Sequence, residues 1–331
     1  MKLPVFALLF AAALPAQSPE AGLTSLANPG VRFSRAEKPY AVLKRGPVEA
    51  IVVDNSAVDD EVLPGHRAGY GGIASLRHKQ RAANLFVPAY SGLNFEHILD
   101  GAAHTESRLL FEPRNHPMEL RLIDEHTVEL YQPPTFHHAL ESCQRIHLLA
   151  DGTIELTIEL IPRQPTFRNG YIGLFWASYI HQPESLDIHF RGAPAGSSVV
   201  GWMRGVTPSH GAESTHPGMN DRRSFPHDQP FPLALVHSLS KLRFAEPWYF
   251  GVSHNMAFVQ MFRPQDQVRL TQSPSGGGKG NPAWDFQFYV PDYEVGRLYR
   301  FVMRAAYLPF KSPEQVELAT RAHRAALGTK P

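Results

Sequence analysis

Between Leu140 and Pro183 the chain alternates too regularly to be anything but sheet. Ile154, Leu156, Ile158 and Leu160 fall on one side of an extended backbone, and Glu155, Thr157 and Glu159 on the other. A period of two is that of a half-buried strand; a helix would spread the same apolar residues around its circumference. Asp151-Gly152, just ahead of this run, signals a hairpin, because that pair accepts the positive φ of a tight turn between twisted strands. LESCQRIHLL, TIELTIELIP and YIGLFWASYIH therefore read as consecutive antiparallel strands.

The same reading extends over most of the chain. Short apolar or alternating runs stand at 48–53, 69–76, 84–88, 108–111, 118–123, 127–131, 186–190 and 198–203. They resume at 231–236, 243–252, 256–262, 268–271, 284–290 and 298–306. Only the C-terminus carries a helix signal. Ser312 fits an N-cap, Pro313 the first helical position and Gln315 the third, which completes a capping box. Val316, Ala319, Ala322 and Ala326 then form a stripe, Arg321 and Arg324 turn to water, and Gly328 stops a helix expected at 313–327. Parallel sheets need crossover helices, and none is indicated. The fold class expected is all-β: a large antiparallel β-sandwich with a short C-terminal helix. Residues 17–46 read as an irregular N-terminal segment and 47–331 as one domain. The long polar stretch 204–229 is the sole candidate boundary, and a loop of that length is usually functional or disordered.

Composition narrows the function classes. Met1-Lys2, an apolar run and a small-residue end make residues 1–16 a secretory signal peptide, so a secreted or periplasmic protein is expected. That run is too short for a bilayer and no longer one follows, so no transmembrane span is expected. With Cys143 as the one cysteine no intrachain disulfide can form, and a buried small hydrophobe is the expectation for it. Lys plus Arg number 32 against 31 Asp plus Glu, which leaves no basic excess for nucleic acid. SPSGGGKGN, 273–281, lacks the Ser or Thr that follows the lysine of a phosphate loop, and a strand rather than a helix comes next. No cofactor is expected.

FHHALESCQRIHLL, NGYIGLFWASYIHQPE, PWYFGVSHNMAFVQMF and NPAWDFQFYVPDYEVGRLYRFVMR, in that order, resemble the galactose-mutarotase-like supersandwich superfamily over residues 45–310. The resemblance implies a supersandwich and a saccharide or polysaccharide bound on the concave face of one sheet. Its members include aldose 1-epimerases, sugar-binding proteins and domains of glycoside hydrolases and polysaccharide lyases. The epimerase pattern Asn-His-x-Tyr-Phe-Asn does not occur in FWASYIHQPE, although His181 lies close by. The family's C-terminal catalytic glutamate has only Asp285 as a loose positional counterpart. Lyases of this architecture use Tyr, His and Arg, which the chain has in quantity.

Residue patterns supply the candidate site. In a strand drawn over 136–149, His137, Glu141, Cys143, Arg145 and His147 share one parity. Glu141 and Arg145, about 13 Å apart along such a strand, can line one wide groove. Phe175, Tyr179 and His181 share a face opposite Trp176, Ser178 and Ile180; Tyr179 and Trp176 are candidate stacking platforms, with core packing the default for Trp176. His254 shares parity with Met256, Phe258 and Gln260, as a general acid–base or as a satisfied buried imidazole. Asp285, Gln287 and Tyr289 form a polar face opposite Trp284, Phe286 and Phe288. Asn94, Glu96 and His97 are placed on a loop, where polar side chains meet ligands; His66, Arg67 and Tyr70 belong to a similar one. No metal is expected, since His137 and His138 would point to opposite faces of a strand; His210, His216 and His227 with Asp221 and Asp228 are the suspects if one binds.

The leading expectation is a carbohydrate-active protein that works on a sugar ring or glycosidic linkage by acid–base chemistry. His254 or His181 would act with Glu141 or Asp285, while Arg145, Asn94, Glu96, His97, Tyr179 and Trp176 bind substrate. The alternatives are a non-catalytic sugar-binding protein using the same groove and a structural or interaction protein.

Overall fold

A computed structural model describes residues 22–104, 106–207, 212–229, 231–274 and 277–328. The expected signal peptide, 1–16, and His210 lie outside the described residues. The chain forms three antiparallel sheets, as its period-two pattern demands. The largest, of 11 strands, has at its centre Thr127–Gln132, Leu140–Leu148, Ile154–Pro162, Tyr299–Pro309, Met256–Phe262 and Trp248–Ser253, hydrogen-bonded in that order. The second has five strands. Three of them are β1 (Asn94–Leu99), at one edge, then β2 (Tyr171–Ala177) and β3 (Ala283–Pro291), with β2 between the others. Tyr40–Arg45, Val48–Val53 and Gly72–His78 make the third sheet. Tyr40–Arg45 and Ser34–Arg35 both fall in the stretch read as irregular, where charged residues interrupt the apolar pattern.

The two larger sheets stack face to face, and their apolar parities meet in between. Trp176 of β2 is fully buried there, its ring 4.7 Å from Phe95 and 5.2 Å from Phe286. Its indole N–H donates to Gln144 Oε1 of the large sheet at 2.8 Å. Trp176 is therefore a core residue and not a sugar platform: aromatics supply the bulk of a sandwich interior. Trp284, Phe286 and Phe288 also face the core, as their parity indicates.

The outer face of the large sheet carries Glu129, Glu141, Glu155 and Glu159, each tied to a guanidinium. The pairs are Arg145–Glu129 (2.7 Å), Arg163–Glu141 (2.6 Å), Arg304–Glu155 (2.7 Å) and Arg300–Glu159 (2.7 Å). Thr24 and Ser25 lie over this face and donate backbone N–H groups to Glu159 and Glu129 at 3.0 Å. Cys143 is buried beneath them, and burial pushes its thiol pKa up.

Three short readings are corrected. Residues 108–111 enter a 3-10 turn and a four-residue helix, α1 (Glu112–Asn115), where Pro113 fits the helix start and removes a strand's N–H. Residues 231–236 make no strand; Phe231, Leu233, Leu235 and Val236 pack as a cover on the outside of the five-stranded sheet. The C-terminal helix, α2 (Pro313–Gly328), has Ser312 Oγ accepting from the Gln315 N–H as expected and buries Val316 and Ala326 of the expected stripe, together with Thr320, His323 and Leu327. Ala319 and Ala322 are exposed, Arg324 turns inward to Glu246, and His323 meets Asp151 at 2.8 Å. No helix among the described residues is long and apolar enough to cross a membrane.

Candidate functional site

The outer face of the five-stranded sheet carries the site. Alternation along β3 turns Ala283, Asp285, Gln287 and Tyr289 outward, and along β2 it turns Phe175 and Ala177 the same way. Strand β1 breaks the rule. Phe175 pairs with His97 and Trp176 with Phe95, so Glu96 is the extra residue of a β-bulge. A bulge re-aims side chains, and this one brings Glu96 and His97, adjacent in sequence, to one hollow.

That hollow, ≈ 230 Å³, is lined by Glu96, His97, Arg114, Tyr179 and Asp285 together with Phe111, Phe175 and the covering Leu233 and Leu235. Glu96 Oε1 accepts from Arg114 Nη1 at 3.0 Å and from the Tyr179 hydroxyl. Arg114 is held in turn by the Gly69 carbonyl, 3.0 Å from its Nε, and lies 3.9 Å over the Tyr70 ring. His97 Nδ1 donates to the Leu110 carbonyl at 3.0 Å, which fixes the tautomer and leaves Nε2 as an acceptor 3.7 Å from Glu96. Burial lowers the His97 pKa and so favours the neutral ring.

Asp285 is the unusual member. It is 1% exposed, and among the described residues its Oδ1 accepts a single hydrogen bond, from the Ser178 N–H at 3.1 Å. Burial drives its pKa well above the ordinary 3.8 and the charge of Glu96 adds to the rise, against the opposing Ser178 N–H. Burial likewise raises Tyr179 well above 10.0. The hollow thus sets a carboxylic acid beside a guanidinium-bound carboxylate, the pairing from which acid–base assignments are read. Beside it Tyr70 and Tyr90, half-buried, stand 4.4 Å apart, with Tyr90 5.0 Å from Tyr179.

Of the residues expected to act, Asp285, Glu96, His97 and Tyr179 converge here. Asn94 pairs with Ala177 and so faces the same side, both of its amide atoms buried without a partner among the described residues. Asn94, Glu96 and His97 belong to a strand, not a loop. Glu141 and Arg145 lie on the outer face of the other sheet, each taken up by a salt bridge, to Arg163 and Glu129, with Ser25 over Glu129. His254 is not in strand register. With Asn255 it makes a two-residue turn, both at positive φ, between Trp248–Ser253 and Met256–Phe262. His181 is outside the hollow; its backbone N–H is bonded to the Leu85 carbonyl at 2.9 Å. Arg114, Phe111 and Tyr90 had no sequence signal, because the fold of α1 and of the 88–92 turn delivers them.

Another hollow, ≈ 300 Å³ between 218–221 and 264–268, has Asp221 as its one ionisable lining residue. That carboxylate is already satisfied by Arg223 and Arg269, each at 3.0 Å, so the space lacks reactive groups. The metal suspects do not gather either. His216 is bonded to Ser240 at 2.6 Å, His227 stacks on His237 at 4.0 Å, and Asp228 accepts from the Ala103 N–H at 2.8 Å. A different histidine group does assemble: His104, His137 and His138. His137 and His138 precede the strand Leu140–Leu148 in a turn, which frees their rings from opposite-face alternation.

No family model matches the chain, and no curated protein matches it by sequence. By structure it is similar to a candidate aldose 1-epimerase from Escherichia coli K12, at 11% identity over 82% of this chain and 99% of that one, with a TM-score of 0.48. It is similar to a galactose mutarotase-like protein from Lactobacillus casei ATCC 334, at 7% identity over 81% and 99%, with a TM-score of 0.45. A heparan sulfate lyase from Pedobacter heparinus is a third, at 9% identity over 87% of this chain and 39% of that one, with a TM-score of 0.38. The relation to the epimerase and mutarotase-like structures is distant and lies at the level of the fold.

Proposed function

We propose that the chain is a carbohydrate-active protein that holds a saccharide in the hollow on the outer face of the five-stranded sheet and moves protons on it. The observation that carries this reading is the convergence of Glu96, Asp285, His97, Tyr179 and Arg114 on one small space. A sugar offers hydroxyls and a ring with apolar edges; carboxyl, guanidinium and phenol groups answer the first, and the faces of Tyr70 and Tyr90 answer the second. Asp285, held as the acid, donates a proton to a sugar oxygen. Glu96, oriented by Arg114 and Tyr179, accepts one. His97 offers Nε2 as a hydrogen-bond acceptor for a hydroxyl. The sugar handling implied by the sequence resemblance fits this arrangement, and the signal-like N-terminus fits work outside the cytoplasm.

The test is a glycan panel read for both binding and product. Turnover of one saccharide by the wild-type chain is expected, with Asp285→Asn and Glu96→Gln each slowing it about 10²–10⁴-fold. Thermal melts of both variants keep loss of fold separate from loss of chemistry. Binding with no product on any saccharide would leave a non-catalytic sugar-binding protein, the reading that the deep burial of both carboxyl groups favours. No binding at all would remove the carbohydrate assignment.

A further inference from the structure

We propose that His104, His137 and His138 form a binding site for a divalent transition metal of the zinc class. One ring nitrogen from each lies within 4.8 Å of the others. The three imidazoles stand edge to face: His104–His137 at 4.7 Å, His137–His138 at 4.7 Å and His104–His138 at 5.9 Å between centroids. Two ligands on a tetrahedral ion with 2.0–2.1 Å bonds sit about 3.3 Å apart. Rotation of the half-buried His104 and His137 closes that difference.

His138 Nδ1 donates to Glu112 Oε2 at 2.6 Å, which turns Nε2 toward the other two rings as the atom that would ligate. That Nε2 is buried without a partner among the described residues, and so is Nε2 of His104. A carboxylate that orients a histidine through its far nitrogen is the usual support of a metal-ligating imidazole. Glu112 is itself fixed by the backbone N–H groups of His137 and His138, and the His138 ring stacks 5.3 Å from Phe167. Three imidazole nitrogens select zinc, copper or nickel over the oxygen-seeking magnesium and calcium. With three protein ligands the fourth position opens into a hollow of ≈ 390 Å³ that Asp100, Thr166 and Arg168 also line.

The site also reaches the proposed saccharide hollow through one short helix. Glu112 and Arg114 belong to the same short helix, α1; one anchors the histidines and the other holds Glu96. Metal binding therefore fixes the segment that positions Arg114, although the metal site stands independently of any sugar chemistry.

The experiment is zinc titration of the untagged full chain after chelation and dialysis, followed calorimetrically and by the visible absorption of a cobalt-substituted sample. One equivalent per chain and an intense tetrahedral cobalt band are expected. His104→Ala/His137→Ala, at half-buried positions that carry little of the fold, abolishes both. Glu112→Gln weakens binding about 10–100-fold. A chain that takes up no stoichiometric zinc, or one whose zinc binding survives His104→Ala/His137→Ala unchanged, overturns the proposal.

Discussion

Both large sheets bear buried carboxylates on their outer faces, yet the two faces are electrostatically unlike. On the 11-stranded sheet, Glu129, Glu141, Glu155 and Glu159 each have an arginine within 2.7 Å. In the hollow on the five-stranded sheet two acids meet one guanidinium: Arg114 serves Glu96, and among the described residues Asp285 has a lone backbone N–H. Matched charges inside a protein hold structure together, and their attraction offsets the cost of desolvation. A surplus acid has no such compensation and keeps its proton instead. The first arrangement is a scaffold. The second leaves a carboxyl group whose pKa burial raises.

The largest effect that separates them is expected at Arg304, which is fully buried against Glu155. Arg304→Ala leaves that carboxylate buried without its cation, at a cost of about 3–5 kcal/mol. In a chain of this size the loss lowers Tm by about 10 °C, and saccharide binding by the folded fraction is unchanged. Glu155→Leu/Arg304→Met, which removes both charges, regains most of the loss. A calorimetric scan of the two variants measures both outcomes; a double variant as unstable as the single one would show that the pair is more than a neutralised scaffold.

Asp285 gives a smaller effect with a distinctive pH dependence. Its folded pKa is raised above the ordinary 3.8. The folded chain therefore binds this proton more tightly than the unfolded chain does. The stabilisation is complete below the unfolded value and is lost as pH rises through the folded one. Within that window wild-type stability falls by at most ~1.4 kcal/mol per pH unit on account of this group. Asp285→Asn removes that part of the slope. Chemical denaturation of both chains from pH 4 upward reads the difference; identical slopes would mean that Asp285 titrates normally and is no proton donor.

Much of this contrast was legible in the sequence. Alternation along 171–181 set Phe175, Tyr179 and His181 opposite Trp176, and along 284–290 it set Asp285 opposite Trp284, Phe286 and Phe288, because side-chain parity is a property of one strand alone. What depends on a neighbour was not legible. Glu96 and His97 share a hollow only because their strand bulges against β2 at Phe175 and Trp176, and register belongs to the pair. Glu141 and Arg145 read correctly as a polar strand face. That Thr24 and Ser25 cover the neighbouring part of it rests on contacts more than a hundred positions apart in the chain. His254 was misplaced because His-Asn lacks the glycine by which such turns are usually recognised, although Asn255 supplies the required positive φ. His138 became a ligand candidate once its strand began at Leu140 rather than at residue 136.

The smallest effect lies at the edge of the scaffold. Thr24 gives Glu159 two hydrogen bonds, from its N–H at 3.0 Å and from its hydroxyl at 2.6 Å, while Arg300 holds the other oxygen at 2.7 Å. Thr24→Val keeps the shape and the N–H and deletes only the hydroxyl, so about 1–2 kcal/mol is expected to be lost. Amide exchange should quicken across 22–31 and hardly elsewhere, because the arginine still neutralises Glu159 and the sheet beneath is intact. Saccharide turnover should not change. If Thr24→Val slowed turnover as Asp285→Asn does, the covered face would be taking part in the chemistry, and balanced charge would no longer distinguish scaffold from site.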